Sequence, residues 1–145
     1  MQTSARNCFA GRMIHIRRGM ATATDEVELQ TAGGARITCV LTSDRALALG
    51  LETGRTAYAL VSASSVILMT DRMMAFSFSA RNLLAGLIKE LHAGVENTEV
   101  VIALPGGDAL VALVSNASAR ELELVEGKAV RAMFKASSVI LGVAG

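Results

Sequence analysis

This chain carries one pattern of residues twice, roughly half a chain apart. The string Ser-Ala-Arg-Asn at residues 4–7 returns at residues 79–82, an offset of 75 positions, and Ala-Ser-Ser-Val-Ile-Leu at 63–68 returns at 136–141, an offset of 73. Two homologous units that differ by a two-residue insertion explain both offsets. A long period seen only twice predicts a duplicated small domain, since solenoid repeats have periods of about 20–50 residues.

The size of each unit predicts that the units are not independent. The chain has 145 residues, so each unit is a small domain that would be marginally stable alone. Hydrophobic residues make up 52% of the chain and aromatic residues only 3%. Abundant aliphatic surface with few large rings favours extensive flat packing. We therefore expect the two copies to pack together and the chain to form a homo-oligomer.

Net charge, apolar runs and cysteine positions argue against a nucleic-acid partner, a membrane span and a secreted protein. The net charge is +1, with 14 basic and 13 acidic residues, which gives no field that favours nucleic acid. No apolar run approaches the roughly 18 residues of a membrane span, and residues 1–7 lack the apolar core of a signal peptide. Cys8 and Cys39 have no cysteine at the equivalent positions of the second copy, so they are predicted to be free thiols. The predicted location is cytoplasmic.

Alternating apolar residues and glycine-marked turns predict short strands. Each copy has five predicted strands and one short helix between the third and fourth, the order of an OB-like Greek-key barrel. The predicted fold is therefore mainly all-β, with two tandem OB-like five-stranded barrels. The predicted domains are residues 1–70 and 78–145, joined by a short apolar linker at 71–77. The predicted strands are 5–17, 26–29, 36–41, 56–61 and 65–69, then 80–91, 98–104, 109–114, 129–134 and 138–142, with helices ending near 49 and 122.

No catalytic constellation is recognisable in the sequence. His15 and His92 are not at equivalent positions, and neither lies near cysteines or carboxylates at metal-ligand spacing. We therefore predict no enzyme activity, no cofactor and no metal-ion site. What remains is a set of small hydrogen-bond donors beside isolated cations, in the strings at 4–7 and 79–82. On spacing alone, these are most simply solvated residues at strand starts, and a functional role requires distant strings to converge.

The repeated strings resemble a known family. Ser-Ala-Arg-Asn starts each copy, Gly19 and Gly94 follow the first strands, Gly-Gly pairs form the hairpins, and Lys-Ala-Ser-Ser-Val-Ile-Leu closes the chain at 135–141. In this order and twice, these motifs resemble the molbindins, the Mop-type molybdate-binding domains, in their duplicated form. The resemblance implies a non-enzymatic cytoplasmic protein that binds molybdate or tungstate and assembles as a homotrimer.

The resemblance also implies which residues bind the oxyanion. The family's principal sites lie between barrels and combine the Ser-Ala-Arg-Asn start of one with the Lys-Ala-Ser segment of another, together with a hydroxyl at the helix entry. Further axial sites lie near the loop after the first strand. Copy one has its insertion there, so only residues 95–98 of copy two are candidates. The predicted oxyanion-binding residues are Ser4, Arg6, Asn7, Thr42, Ser62, Ala63, Ser64, Ser79, Arg81, Asn82, Ser115, Lys135, Ala136 and Ser137.

These residue types suit a tetrahedral dianion, which presents only acceptor oxygens. Arginine supplies a rigid fork of donors, lysine a point charge, and serine hydroxyls with turn amides complete the shell. One departure from the family pattern is that Ser62 occupies the position that Lys135 has in copy two. We therefore predict two unequal classes of site, with the Lys135 class tighter.

Two functional roles remain open. The absence of DNA-binding and ATPase motifs favours a free-standing storage protein. The alternative is a molybdate-sensing module that signals to a partner protein. The sequence does not decide between molybdate and tungstate, because the two anions share charge and shape.

Overall fold

The computed structural model describes residues 3–19 and 23–144. Each copy contributes five strands and one helix, with the helix between the third and fourth strands, so the predicted fold class is confirmed. The elements of copy one are β1 (Asn7–Arg17), β2 (Thr24–Thr31), β3 (Arg36–Thr42), α1 (Ser43–Leu49), β4 (Thr56–Val61) and β5 (Ile67–Met69). Those of copy two are β6 (Asn82–Ala93), β7 (Asn97–Ala103), β8 (Ala109–Ser115), α2 (Asn116–Glu121), β9 (Ala129–Phe134) and β10 (Ile140–Gly142).

The limits of α1 follow from local chemistry, and its last residue, Leu49, is where the sequence predicted the helix to end. The Thr42 hydroxyl accepts a hydrogen bond from the backbone N–H of Arg45 and caps the start of α1. Gly50 ends the helix in the left-handed conformation, with φ of 62°.

In the described part of the chain no helix has the length and apolar character that crossing a bilayer demands.

The two copies exchange their fifth strands. One sheet has the order β10-β4-β1-β2-β3 and the other β5-β9-β6-β7-β8. Thus Ile140 of copy two pairs with Leu60 of copy one, and Ile67 of copy one pairs with Met133 of copy two. Each sheet is complete only with a strand from the other copy. The buried side chains of both copies accordingly form one continuous core.

The glycine pairs in the two hairpins serve two purposes. Gly34 and Gly107 have φ values of 91° and 102°, which a residue with a side chain rarely adopts. Gly106 also has a positive φ, 88°, and it lies against Gly33: a Cβ on Gly106 would be 1.8 Å from the Gly33 carbonyl oxygen. The β2–β3 and β7–β8 hairpins therefore touch through bare backbone at the seam between copies.

The first strand of each copy is irregular. Pairing of β1 with β2 shifts register between Met13 and His15, and pairing of β6 with β7 shifts between Ile88 and Glu90. Gly11 lies just before the first shift, where a Cβ would be 2.9 Å from the Gln30 carbonyl oxygen. The bulge lets one long strand bend and pair with neighbours on both sides.

The linker lies on copy two rather than projecting from it. Residues Asp71–Ala75 form a 3-10 turn. Arg131 Nη1 donates to the Met74 carbonyl oxygen at 2.8 Å, which ties this turn to β9. Further 3-10 turns, Ala63–Ser65 and Ala136–Ser138, precede the exchanged strands.

Candidate functional site

The second Ser-Ala-Arg string and the Lys-Ala-Ser segment meet at the ends of β6 and β9. The final residue pair of that antiparallel ladder is Asn82 with Phe134. The chain before 82 and the chain after 134 therefore continue side by side, in a register that sets Arg81 opposite Lys135. Beside them is a cavity of about 750 Å³.

The cavity gathers six of the predicted site residues. Five come from copy two and one from copy one, so the cavity lies at the seam between copies. Its polar wall includes hydroxyls, a guanidinium and an ammonium, supplied by Ser64, Ser79, Arg81, Lys135 and Ser137, with Ala136 between the last two. Lys135 is solvent-exposed and has no carboxylate partner within the described residues. Its charge is therefore available to an anion.

Apolar side chains form the rest of the wall. Val40, Ile67, Phe78 and Met133 line the cavity together with the polar groups. Ile67 and Phe78 are exposed, at 55% and 38% of their full area. Apolar surface behind the donors lowers the local dielectric constant. A charge-assisted hydrogen bond is stronger in such surroundings.

The Arg81 guanidinium is held by a carboxylate from the other copy. Arg81 Nη1 donates to Glu26 Oε2 at 2.9 Å, and Arg81 Nη2 donates to Glu26 Oε1. This hydrogen-bonded pair raises the pKa of Arg81 and, with Arg17, lowers the pKa of Glu26 despite its partial burial. The sequence analysis did not anticipate a carboxylate at this place.

The equivalent groups of copy one have the reciprocal arrangement. Arg6 Nη2 donates to Glu99 Oε1 of copy two at 2.9 Å. Asn7 pairs with Val61 at the end of the β1–β4 ladder, so the same register sets Arg6 opposite Ser62. Ser62 begins the 3-10 turn, Ala63 within it is buried, and Ser4 is exposed before the strand. Of these predicted residues, none lines the 750 Å³ cavity.

Asn7 and Asn82 use their side chains to join the copies. Asn82 Nδ2 donates to the Thr38 carbonyl oxygen at 2.8 Å, and the Thr38 N–H donates to Asn82 Oδ1 at 2.7 Å. Asn7 makes the same two bonds with Val111, at 2.8 and 2.7 Å. Both asparagines are buried, so these side-chain amides are engaged within the protein. Oxyanion contact by either asparagine stays a prediction.

The two helix-entry hydroxyls act as caps. Thr42 accepts from the Arg45 N–H at 3.2 Å, and Ser115 accepts from the Ser118 N–H at 3.0 Å. Neither is part of the wall of the 750 Å³ cavity. Their predicted place near the anion remains a prediction.

Sequence reasoning missed the two glutamates that hold the site arginines. Glu26 and Glu99 are separated by the same 73 positions that relate the closing strings of the two copies. That equivalence was visible in the sequence. The pairing was not, because each arginine contacts the glutamate of the opposite copy.

The loop after the first strand is described only in part. Copy one has its two-residue insertion in the region around residues 20–25, and residues 20–22 of that region lie outside the described residues. In copy two, Gly94 donates its N–H to the Asn97 carbonyl oxygen at 2.7 Å, and Asn116 Nδ2 donates to the carbonyl oxygens of Gly94 and Val95. This turn is held by main-chain and side-chain hydrogen bonds.

The described residues contain no group of three or more His, Cys, Asp or Glu able to hold a metal ion. Burial raises the pKa of the Cys39 thiol to about 11, so it stays protonated at neutral pH. Its Sγ donates to the Val139 carbonyl oxygen at 3.2 Å, across the seam. The polar groups that line the cavity, among them Arg81, Lys135 and the serine hydroxyls, are hydrogen-bond donors and cations of the kind that bind anions.

Known proteins resemble this chain over its full length. The TOBE domain family matches residues 3–68 and 79–141. The molybdenum transport protein ModE of Azotobacter vinelandii is 40% identical over 100% of this chain and 52% of its own length. The molybdenum-pterin-binding protein MopA of Rhodobacter capsulatus is 34% identical over 99% of this chain and 53% of its own length. The chain therefore spans about half the length of these curated relatives.

A solved structure has the same fold throughout. It is a crystal form of the cytoplasmic molybdate-binding protein ModG with molybdate bound, and it superposes with a TM-score of 0.93. The two proteins are 38% identical, and the match covers 99% of this chain and 100% of ModG. These matches confirm the resemblance to the duplicated molbindins, and the chain belongs to the TOBE domain family with one such domain in each of its two copies.

Proposed function

We propose that this protein binds a tetrahedral oxyanion, molybdate or tungstate, in the cavity between Arg81 and Lys135. The observation that carries the proposal is the convergence of these two cations with the hydroxyls of Ser79 and Ser137 in one cavity. The two strings are more than 50 positions apart in sequence and meet only through the β6–β9 register.

The ligand class follows from the donor set. A tetrahedral dianion presents acceptors alone, and the site offers guanidinium, ammonium and hydroxyl donors. Hydrogen bonds to charged groups are shorter and roughly twice as strong as those between neutral groups. We infer binding without catalysis, because ModG, which this chain resembles over its full length, is a molybdate-binding protein.

Relatives support the choice of molybdate. ModG binds molybdate and shares 38% of its residues and its fold with this chain. The donors of the cavity suit the same anion, and tungstate has the same charge and shape. We infer a cytoplasmic location from ModG, which is described as cytoplasmic.

The equivalent site of copy one should be weaker. Arg6 and Ser4 are at positions equivalent to Arg81 and Ser79, but Ser62 takes the position of Lys135. A hydrogen bond to a charged group contributes roughly 1.5–3 kcal/mol. We therefore infer two classes of site that differ by about one to two decades in affinity.

The size of the cavity supports assembly. A volume of about 750 Å³ is many times that of a tetrahedral oxyanion. Another protein surface is therefore needed to surround the ligand, and the exposed side chains of Ile67 and Phe78 at the cavity suit such a contact. We infer a homotrimer, as the family resemblance implies, and sedimentation equilibrium would test it directly.

Storage and homeostasis of the anion is the role that we infer first. Sensing is a second candidate, because the ModE relatives extend well beyond the part that matches this chain. Affinity capture of partner proteins with and without molybdate distinguishes them. A protein retained only with molybdate favours sensing, and none in either condition favours storage.

Two measurements with molybdate, tungstate and sulfate at equal ionic strength test the binding proposal. Titration calorimetry measures binding, and thermal unfolding measures the shift in unfolding temperature. We expect molybdate and tungstate to bind and to raise the thermal unfolding temperature, because a ligand stabilises the state that binds it. Sulfate at the same concentration should give little shift. Equal shifts with all three anions, or none with any, would contradict the proposal.

A further inference from the structure

The guanidinium at the Arg81 site belongs to a three-residue charge cluster that crosses the seam. Glu26 accepts from Arg81 of copy two and also from Arg17 of copy one, whose Nη2 lies 2.5 Å from Glu26 Oε2. The Glu26 side chain is only 16% exposed, whereas those of Arg17 and Arg81 are 68% and 54% exposed. The carboxylate is thus enclosed between two cations.

Arg17 decides the net charge that the cluster presents. Arg81 and Glu26 alone would cancel, and a dianion would meet a neutral pair. With Arg17 on the same carboxylate, the cluster keeps one positive charge. A guanidinium has five N–H donors, and Glu26 engages the two terminal nitrogens of Arg81. The remaining N–H groups of Arg81 stay available while Glu26 holds its position.

The Arg6–Glu99 cluster repeats the geometry but lacks the second arginine. Arg17 stands opposite Glu26 in the β1–β2 ladder, and His92 stands opposite Glu99 in the β6–β7 ladder. His92 Nε2 lies 3.1 Å from Glu90 Oε2, and position 90 corresponds to His15 in copy one. The Arg6–Glu99 pair therefore has a histidine and an added carboxylate where the Arg81–Glu26 pair has a permanent cation.

From this difference we infer that Arg17 is a positioning residue of the Arg81 oxyanion site, acting through Glu26, and that His92 in the equivalent place weakens the Arg6 site. The inference rests on the proposed function and adds a residue to it. It is separate from the Lys135 and Ser62 difference, because Arg17 and His92 lie on the first strand of each copy. Arg17 is identified by its contact with Glu26 and by no motif.

The first test is titration calorimetry of the full chain with sodium molybdate. Arg17→Gln should weaken the tight class of site about two- to fivefold, because an exposed charge pair contributes up to about 1 kcal/mol. Arg17→Lys keeps the charge and should stay within about twofold of wild type. The thermal unfolding temperatures should be nearly equal, because position 17 is exposed. A loss equal for Gln and Lys would overturn the inference.

A double-mutant cycle tests whether Arg17 acts through Glu26. In the Glu26→Gln background there is no carboxylate to neutralise, so Arg17→Gln should change molybdate affinity much less than in wild type. Equal effects in both backgrounds would show a general charge effect and contradict a role through Glu26.

The matched gain-of-function variant is His92→Arg. It should increase the molybdate affinity of the Arg6 site about two- to fivefold, toward that of the Arg81 site. His92→Gln is the neutral control and should not strengthen binding. Binding by wild type with no response to Arg17→Gln or His92→Arg overturns this inference alone, whereas no binding by wild type overturns the proposed function and this inference with it.

Discussion

Asn82 and Thr38 bind each other through two hydrogen bonds across the seam between copies. The Asn82 amide nitrogen donates to the Thr38 carbonyl oxygen at 2.8 Å, and the Thr38 N–H donates to the Asn82 side-chain oxygen at 2.7 Å. Asn82 is 1% exposed. Its side chain thus replaces a neighbouring strand for one residue of β3. The duplicated pair, Asn7 with Val111, does the same for β8.

Asn82→Ala should therefore destabilise the protein strongly. It leaves the N–H and carbonyl groups of Thr38 buried without partners, and each such group costs about 1–3 kcal/mol. We expect a loss of about 2–4 kcal/mol in the free energy of unfolding. Chemical denaturation measures it. Asn97→Ala, at an exposed asparagine, is the control and should change stability by less than about 0.5 kcal/mol. Similar losses for the two variants would contradict the structural role.

Gly106→Ala tests the contact between the hairpins. A Cβ there would be 1.8 Å from the Gly33 carbonyl oxygen, so the backbone must move. Gly107 is the matched control, because its φ of 102° imposes similar strain on alanine but nothing lies within 4 Å of its Cβ position. We expect Gly106→Ala to cost about 1–3 kcal/mol more than Gly107→Ala. Equal costs in thermal unfolding would mean that the hairpins are not tightly apposed.

Lys135 and Ser62 allow a reciprocal exchange. Lys135→Ser should weaken the tight class of molybdate site about ten- to a hundredfold, because one charged hydrogen bond is lost. Ser62→Lys should strengthen the weak class or increase the measured stoichiometry. Titration calorimetry resolves both quantities. Lys128→Ser is a control at a lysine whose Nζ contacts the Leu122 carbonyl oxygen and Asp71 outside the cavity. One uniform class in wild type would contradict the two-class prediction.

Local chemistry made most of the strand and helix order predictable. Thr42 and Gly50 mark the ends of α1, and alternation marks β2, because short-range rules suffice there. The exchange of β5 and β10 was not predictable. Both strands begin within the same repeated string, residues 63–68 and 136–141, so either sheet offers an equivalent partner. The choice depends on where the 71–77 linker directs the chain, and no local pattern encodes that.

The candidate site was predictable to the extent that its residues belong to repeated strings. Arg81 is in such a string and Lys135 directly precedes one, and both side chains line one cavity. The role of Asn82 depends on burial, and the pairing of Arg81 with Glu26 depends on how two copies of similar sequence face each other. Neither property follows from the order of residues in one copy.

Asp25 should make stability depend on pH at acidic values. It is 3% exposed and accepts hydrogen bonds from the Gly19 N–H at 2.9 Å, from Ser43 Oγ at 2.7 Å and from Arg18 Nη1 at 3.1 Å. These bonds, led by that from Gly19, lower the pKa of Asp25 below its usual 3.8. A carboxyl group with a lowered pKa stabilises the fold above its unfolded-state pKa, and this contribution is lost as pH falls through the folded-state value.

Asp25→Asn should therefore be destabilising at pH 7 by about 1–3 kcal/mol, since hydrogen bonds to a charged group are weakened. The difference from wild type should shrink as pH falls below 3.8. Urea denaturation at a series of pH values from neutral to strongly acidic measures it. Asp44→Asn, at an exposed residue in the first turn of α1, is the control. In copy two the equivalent pair is Thr98 and Asn116, joined at 2.6 Å without a carboxylate, so only copy one should contribute this pH dependence. A stability difference that stays constant across the acidic range would show that the three donors do not favour the ionised form of Asp25.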